Sequence, residues 1–188
     1  MSEARAANPT PPTPAFPDDA EASLQSVGAA ARFVLRGETP AARLAGEALG
    51  VAAPGRINRA EAAGLRAMLR LGPDEWLLVA DGEAPAGLAG SLAQALDGTP
   101  HSLVDVSARQ VGFVLDGRLA ARLISAGCPL DLRDGAFPVG AATRTIFLKA
   151  EIVLWRRAAQ TWRLEVWRSF APYLIGHLAE ARRGAADL

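Results

Sequence analysis

Phe33-Val-Leu-Arg-Gly37 and Phe113-Val-Leu-Asp-Gly117 write one pattern twice, and each runs into a matching helical stretch, Ala41-Ala-Arg-Leu44 after the first and Ala120-Ala-Arg-Leu123 after the second. The offsets are 80 and then 79 residues. Further along, a register of 86 maps Trp76, Leu78, Leu88, Gly90 and Leu92 onto Trp162, Leu164, Leu174, Gly176 and Leu178. Ala and Leu matches are cheap in this composition, but the sequence has only four Trp, so the Trp pair weighs most. The first unit reads as strand, helix, hairpin, helix. Ala31–Arg36 is the strand; Thr39 as N-cap, Pro40 at the first helical position and Gly50 as terminator bound a helix whose stripe is Ala41, Leu44, Ala45, Ala48 and Leu49. Leu65–Leu71 and Trp76–Ala80 flank the turn residues Gly72-Pro-Asp-Glu75, and a helix over Pro85–Leu96 carries Leu88, Leu92 and Leu96 one turn apart. The growth of the offset assigns extra residues to the second half, in the Pro129–Gly140 connection. The repetition has two readings, an internal duplication or two similar units shaped alike because both pack helices on a sheet. Either way the pattern predicts a mixed α and β domain.

Composition bounds the rest. The chain has 188 residues, 50% of them hydrophobic and 21% charged, with a formal net charge of zero. Leu, Ile, Val and Phe fill 46 of the 188 positions, enough for a real core, and a chain of this length buries about two-thirds of its unfolded surface. Lys and Arg balance Asp and Glu at 20 each with no run of like charge, which leaves no electrostatic footprint for a nucleic acid or an anionic membrane. Residues 1–22 hold five prolines and a single large apolar side chain, Phe16, so they read as a flexible tail ahead of one domain over residues 23–184. No apolar stretch approaches the roughly 20 residues of a membrane span, and no signal-peptide core precedes the domain, so a cytoplasmic chain is expected.

Candidate chemistry is sparse. The sequence contains no G-x-G-x-x-G, no G-x-x-x-x-G-K and no G-x-S-x-G. His177 and Glu180 lie three apart on the last predicted helix, but His101 is the only other histidine, and a solvated helix face explains the pair better than a metal. Asp105 and Ser107 resemble half of a nucleophile system without its base, and fit a turn or cap between two strands. Cys128, the single cysteine, lies between Gly127 and Pro129 with no cationic neighbour in sequence and reads as a packed thiol. Asp131, Arg133 and Asp134 read as a solvated connection. The expectation is no catalytic, cofactor-binding or metal site in this chain.

The C-terminal hairpin says more. Glu151–Arg157 and Thr161–Arg168 alternate as strands, with Trp162, Leu164 and Val166 on one face and Arg163, Glu165 and Trp167 on the other. Trp155 shares a face with Val153 and Arg157. Two Trp and two Arg on a second face are the residue types of interface hot spots, which makes Trp155, Arg163 and Trp167 the candidate interface residues. Cover of those rings by a helix of the same domain is the alternative.

Leu71-Gly-Pro-Asp-Glu-Trp-Leu-Leu-Val79, Asp105-Val-Ser107, Gly117-x-x-Ala-x-x-Leu-Ile124 and Trp167-Arg-Ser-Phe-Ala171 with Tyr173-Leu174, in that order, resemble the gamma subunits of heterotetrameric sarcosine oxidases. The resemblance covers about Leu24 to Arg183. Those subunits are similar in turn to the folate-binding domain of the glycine cleavage system aminomethyltransferase, the T-protein. The resemblance implies an α+β fold of antiparallel sheets flanked by helices, which agrees with internally duplicated strand-helix-hairpin-helix units. It also implies a non-catalytic subunit beside alpha, beta and delta partners, with flavin, NAD, tetrahydrofolate and zinc held by those partners and sarcosine oxidatively demethylated elsewhere in the complex. The alternative is a free-standing folate-binding or one-carbon transfer protein of the T-protein type. The resemblance does not extend over that enzyme's later domains, so a complete folate site is not expected.

Overall fold

A computed structural model describes Phe16 and residues 21–186. The tail predicted over residues 1–22 therefore lies mostly outside the described residues. At its end, however, Glu21 pairs with Arg118 and accepts the Leu119 N–H at 3.0 Å through its carbonyl, and Ala22 is fully buried.

The elements are β1 (Ser23–Ser26), β2 (Ala30–Gly37), α1 (Thr39–Leu49), β3 (Arg59–Ala63), β4 (Arg66–Arg70), β5 (Glu75–Asp81), α2 (Pro85–Ala95), β6 (His101–Asp105), β7 (Gln110–Asp116), α3 (Ala120–Ser125), β8 (Ala142–Phe147), β9 (Ala150–Arg156), β10 (Thr161–Trp167), a 3-10 turn (Arg168–Phe170) and α4 (Ala171–Ala186). They form two five-stranded sheets, ordered β6-β2-β5-β4-β3 and β1-β7-β10-β9-β8, in which every neighbouring pair is antiparallel. The orders coincide when β6 is matched with β1, β2 with β7, β5 with β10, β4 with β9 and β3 with β8. Leu35 faces Trp76 across one central pair, and Leu115 faces Trp162 across the other, as the offsets of the two registers require. Each half also lends the strand before its first long strand to the opposite sheet's edge. Duplication and convergent packing both accommodate this equivalence.

Period two along the strands creates three cores. Phe33, Leu35, Trp76 and Leu78 meet Ala41, Ala45 and Leu49 of α1 and Leu88 and Leu92 of α2. Phe113, Leu115, Trp162, Leu164 and Val166 meet Leu123 and Ile124 of α3 and Leu174 and Leu178 of α4. The opposite faces meet each other through Leu69, Leu77 and Val79 from one sheet and Ala142, Val153 and Trp155 from the other. The layers thus run helices, sheet, sheet, helices.

Helix α1 begins one residue earlier than its sequence suggests. Ala42 donates its N–H to the Glu38 carbonyl at 3.1 Å, so Glu38 occupies the cap position, without a side-chain cap bond, and Thr39 is already helical. Gly50 ends the helix in the left-handed region at φ 73°, which a side chain would disfavour, and donates to the Glu47 carbonyl. Among the described residues no helix is long and apolar enough to cross a membrane.

Candidate functional site

Charged side chains gather where the apolar pattern of the inter-sheet layer breaks. Arg32 on β2 donates from Nε to Glu165 Oε2 at 2.6 Å. Arg163 on β10 donates from Nε to Glu165 Oε1 at 2.8 Å, and from Nη1 and Nη2 to the two carboxylate oxygens of Asp81 at 2.6 and 2.8 Å. The four groups sum to zero charge and span three strands and both sheets. Arg32, Arg163 and Glu165 are at most 2% exposed. Burial alone would push the Glu165 carboxyl up; the Arg32 and Arg163 guanidiniums outweigh it and hold the group below the ordinary carboxylate range. Burial would likewise lower Arg163, but Glu165 and Asp81 prevail and raise it. The geometry depends on Gly112 of β7, where a Cβ would lie 2.6 Å from Glu165 Oε1 and 2.9 Å from Arg32 Nη2.

Two of the three interface candidates are thereby corrected. The strand alternation places Arg163 opposite Trp162, as read, but that face turns toward the other sheet, so Arg163 is buried in the charged cluster. Trp155 is 6% exposed in the inter-sheet core beside Val153, because a second sheet covers it. Trp167 lies at the strand's end and stays 40% exposed.

Around Trp167 the surface is aromatic and basic. The Arg109 guanidinium lies 5.1 Å from the Trp167 ring centroid. Phe170, 39% exposed, meets Tyr173 edge-on at 6.4 Å, and Tyr173 meets His177 at 4.4 Å. The turn between β6 and β7 is tied to this corner, since Arg168 donates its backbone N–H to the Arg109 carbonyl at 2.8 Å and its Nε to the Ala108 carbonyl at 2.9 Å. Asp105-Val-Ser107 leads into the same turn. Ser107 Oγ accepts the Arg32 N–H at 2.8 Å and donates to the Arg32 carbonyl at 3.3 Å, while Asp105 Oδ1 accepts the Ser107 N–H at 2.9 Å. These are turn and strand-end contacts, as their sequence context suggests.

The remaining candidates stay apart. Cys128 is buried, with Sγ 3.9 Å from Thr145 Oγ1. Glu180 pairs with Arg183 rather than His177, and His101 is exposed on β6. Asp131, gripped by Arg133 through side-chain bonds and the Arg133 backbone N–H, falls to a pKa of about 2, and Asp134 pairs with Arg156 at 2.6 Å. Among the described residues no three His, Cys, Asp or Glu side chains come together as a metal-ion site. Sequence reasoning missed Arg32, Asp81, Arg109 and Phe170. A signal for the first existed: Arg32 stands between Ala31 and Phe33 in a strand, and its match at an offset of 80 is Gly112, the space it needs.

A family model described as the sarcosine oxidase gamma subunit family matches residues 36–184. A sarcosine oxidase subunit gamma of an Arthrobacter species is 36% identical over 135 residues, covering 71% of this chain and 66% of that protein. One from Corynebacterium sp. strain U-96 is 37% identical over 115 residues, covering 61% of this chain and 55% of that protein. The matched span is thus two-thirds or less of the length of these relatives. Among solved structures, a chain of the heterotetrameric sarcosine oxidase from Corynebacterium sp. U-96 superposes with a TM-score of 0.79 at 32% identity, over 88% of this chain and 86% of that one. The glycine cleavage system aminomethyltransferase of Bartonella henselae shares the fold at 18% identity with a TM-score of 0.64, over 85% of this chain and 45% of that one. The α+β, T-protein-like fold and the extent of the family match agree, and the chain belongs to the sarcosine oxidase gamma subunit family.

Proposed function

We propose that this chain is the gamma subunit of a heterotetrameric sarcosine oxidase and serves in its assembly and stabilisation. On this reading alpha, beta and delta partners hold flavin, NAD, tetrahydrofolate and zinc, the complex oxidatively demethylates sarcosine in the cytoplasm, and this chain contributes surface. The observation that carries the reading is the open corner of Trp167, Phe170 and Arg109, the residue types that dominate interface energetics, on a chain whose other charged cluster is satisfied internally. A subunit that binds only the assembled state stabilises it by mass action. The test is co-purification with the flavin subunit of Trp167→Ala and Phe170→Ala, with folding checked by circular dichroism. Loss of a hot-spot aromatic commonly costs about 2 kcal/mol, roughly 30-fold in affinity. Unchanged association of both variants overturns the interface assignment. Saturable binding of tetrahydrofolate by the chain alone would favour a folate protein of the T-protein type instead.

A further inference from the structure

A cleft opens on the side of the molecule where the edge strands of the two sheets approach. β3 and β8 are joined there by the bridge between Arg59 and Ala141, and the Ala60 N–H donates to the Gly140 carbonyl at 2.9 Å. The loop ahead of β3 and the connection between α3 and β8 form the walls of a space of about 380 Å³, within the size range of small-ligand sites. Its apolar surfaces are Ile57, which is 45% exposed, Leu130, and Phe137, whose ring stacks on Trp162 at 5.6 Å. Its polar surfaces are the Arg56 and Arg59 guanidiniums with Asn58 and Thr143, whose hydroxyl donates to Asn58 Oδ1 at 3.0 Å.

The charge balance of this cleft is one-sided. No described carboxylate pairs with Arg56, and Arg59 makes only a 3.5 Å contact to the Val139 carbonyl. The one acid on the wall, Asp131, is occupied by Arg133 through bonds of 2.5 to 3.0 Å to its side chain. Two uncommitted guanidiniums over an aromatic and aliphatic floor recognise a negative head on an apolar body, since Arg binds carboxylates with two parallel bonds and the floor takes up the remainder.

We propose that this cleft binds a small organic anion, a carboxylate or its sulfonate analogue carried on a ring or short apolar body. This inference is independent of the assembly reading. The full chain is titrated with 8-anilinonaphthalene-1-sulfonate, and bound probe is displaced with benzoate or with benzylamine. The expected result is one saturable fluorescence transition that benzoate reverses and benzylamine does not. Arg56→Ala and the Arg56→Ala/Arg59→Ala pair weaken binding, the pair by about tenfold or more, and raising salt weakens wild type more than the pair. Should Arg59→Ala disturb the fold, Arg56→Ala decides alone, because Arg56 is exposed and holds no carboxylate. Equal affinity of Arg56→Ala and wild type, equal displacement by the two competitors, or the absence of a saturable transition overturns the site.

Discussion

Strands β5 and β10 occupy the same place in the two sheets and agree on one face only. Toward the helices β5 presents Trp76 and Leu78, and β10 presents Trp162 and Leu164, all buried. Toward the other sheet β5 presents Leu77 and Val79, whereas β10 presents Arg163 and Glu165. The helix-facing side is governed by one demand, apolar area against a helix, and the same residues meet it in both halves. The inner side is governed by a partner strand, so its solution depends on what lies opposite. Arg32 reaches across from β2, and Gly112 on β7 leaves the volume that the Arg32 and Glu165 pair fills.

The most severe way to break this contrast is Glu165→Ala. It leaves Arg32 buried without a carboxylate while Arg163 keeps Asp81, and removing one partner of a buried ionic group costs about 3–5 kcal/mol. Leu77→Ala, in the apolar equivalent of Arg163, removes packing alone and costs about 2–5 kcal/mol. Urea unfolding of the two variants separates the mechanisms, because the triple variant Arg32→Met/Arg163→Met/Glu165→Met, with Asp81→Asn added so that the carboxylate held by Arg163 is not left unpaired, recovers much of the first loss by replacing charge with apolar volume. Failure of that combination to improve on Glu165→Ala would show that the cluster contributes more than mutual neutralisation.

Gly112→Ala probes the same contrast from the opposite strand at smaller magnitude. Its methyl group would enter the space of the Glu165 carboxylate, and overpacking of this kind costs about 1–3 kcal/mol. The matched change at the equivalent position of the other half, Arg32, is not conservative, which is why the asymmetry is best tested here. Combining Gly112→Ala with Glu165→Ala should give less than the sum of the two losses, since the second substitution vacates the space that the first invades.

Acid unfolding sharpens the comparison further. The folded-state pKa of Glu165 is depressed below its ordinary value of 4.5, so the folded state binds fewer protons there than the unfolded chain does. Its contribution is fully present above that ordinary value and is lost as pH falls through the depressed one. Glu165→Gln should therefore flatten the stability profile below about pH 4.5. At the equivalent positions β5 carries the apolar Leu77 and Val79. A variant whose acid slope matches wild type would place the titrating carboxylate elsewhere.

Much of this was legible from the pattern of residues. The repeated strand, helix, hairpin, helix order follows from Phe33 and Phe113, from Trp76 and Trp162, and from helix punctuation at Pro40 and Gly50. The face alternation of β10 is equally plain in the sequence. What it does not encode locally is the identity of the covering layer: an alternating strand shows two faces, and only the tertiary arrangement decides that the Arg163 face meets a sheet rather than solvent. The edge strands were illegible for a different reason. β3 is Arg-Ala-Glu-Ala-Ala with largely exposed side chains, and β6 is exposed at four of five positions, so neither carries a burial signature. The cleft beside Arg56 is assembled from a loop and a connection 80 residues apart in the repeat, with no periodicity to announce it.

The smallest effect on stability is expected at Trp167. Three strand-borne tryptophans, Trp76, Trp155 and Trp162, are at most 6% exposed, and truncating any of them to Ala should cost about 3–5 kcal/mol. Trp167 sits at the end of β10 and is 40% exposed, and the Arg109 guanidinium lies over its ring, a contact worth about 0.5–1 kcal/mol at an exposed site. Trp167→Ala should therefore lower unfolding stability by about 1 kcal/mol or less while retaining the circular dichroism of the wild type. Trp155→Ala makes the contrast within one hairpin, since it removes a ring from the interior on the same face of the sheet. If Trp167→Ala instead unfolded the domain as Trp155→Ala does, the ring would belong to this chain's own core, and the surface left for a partner would have to lie elsewhere.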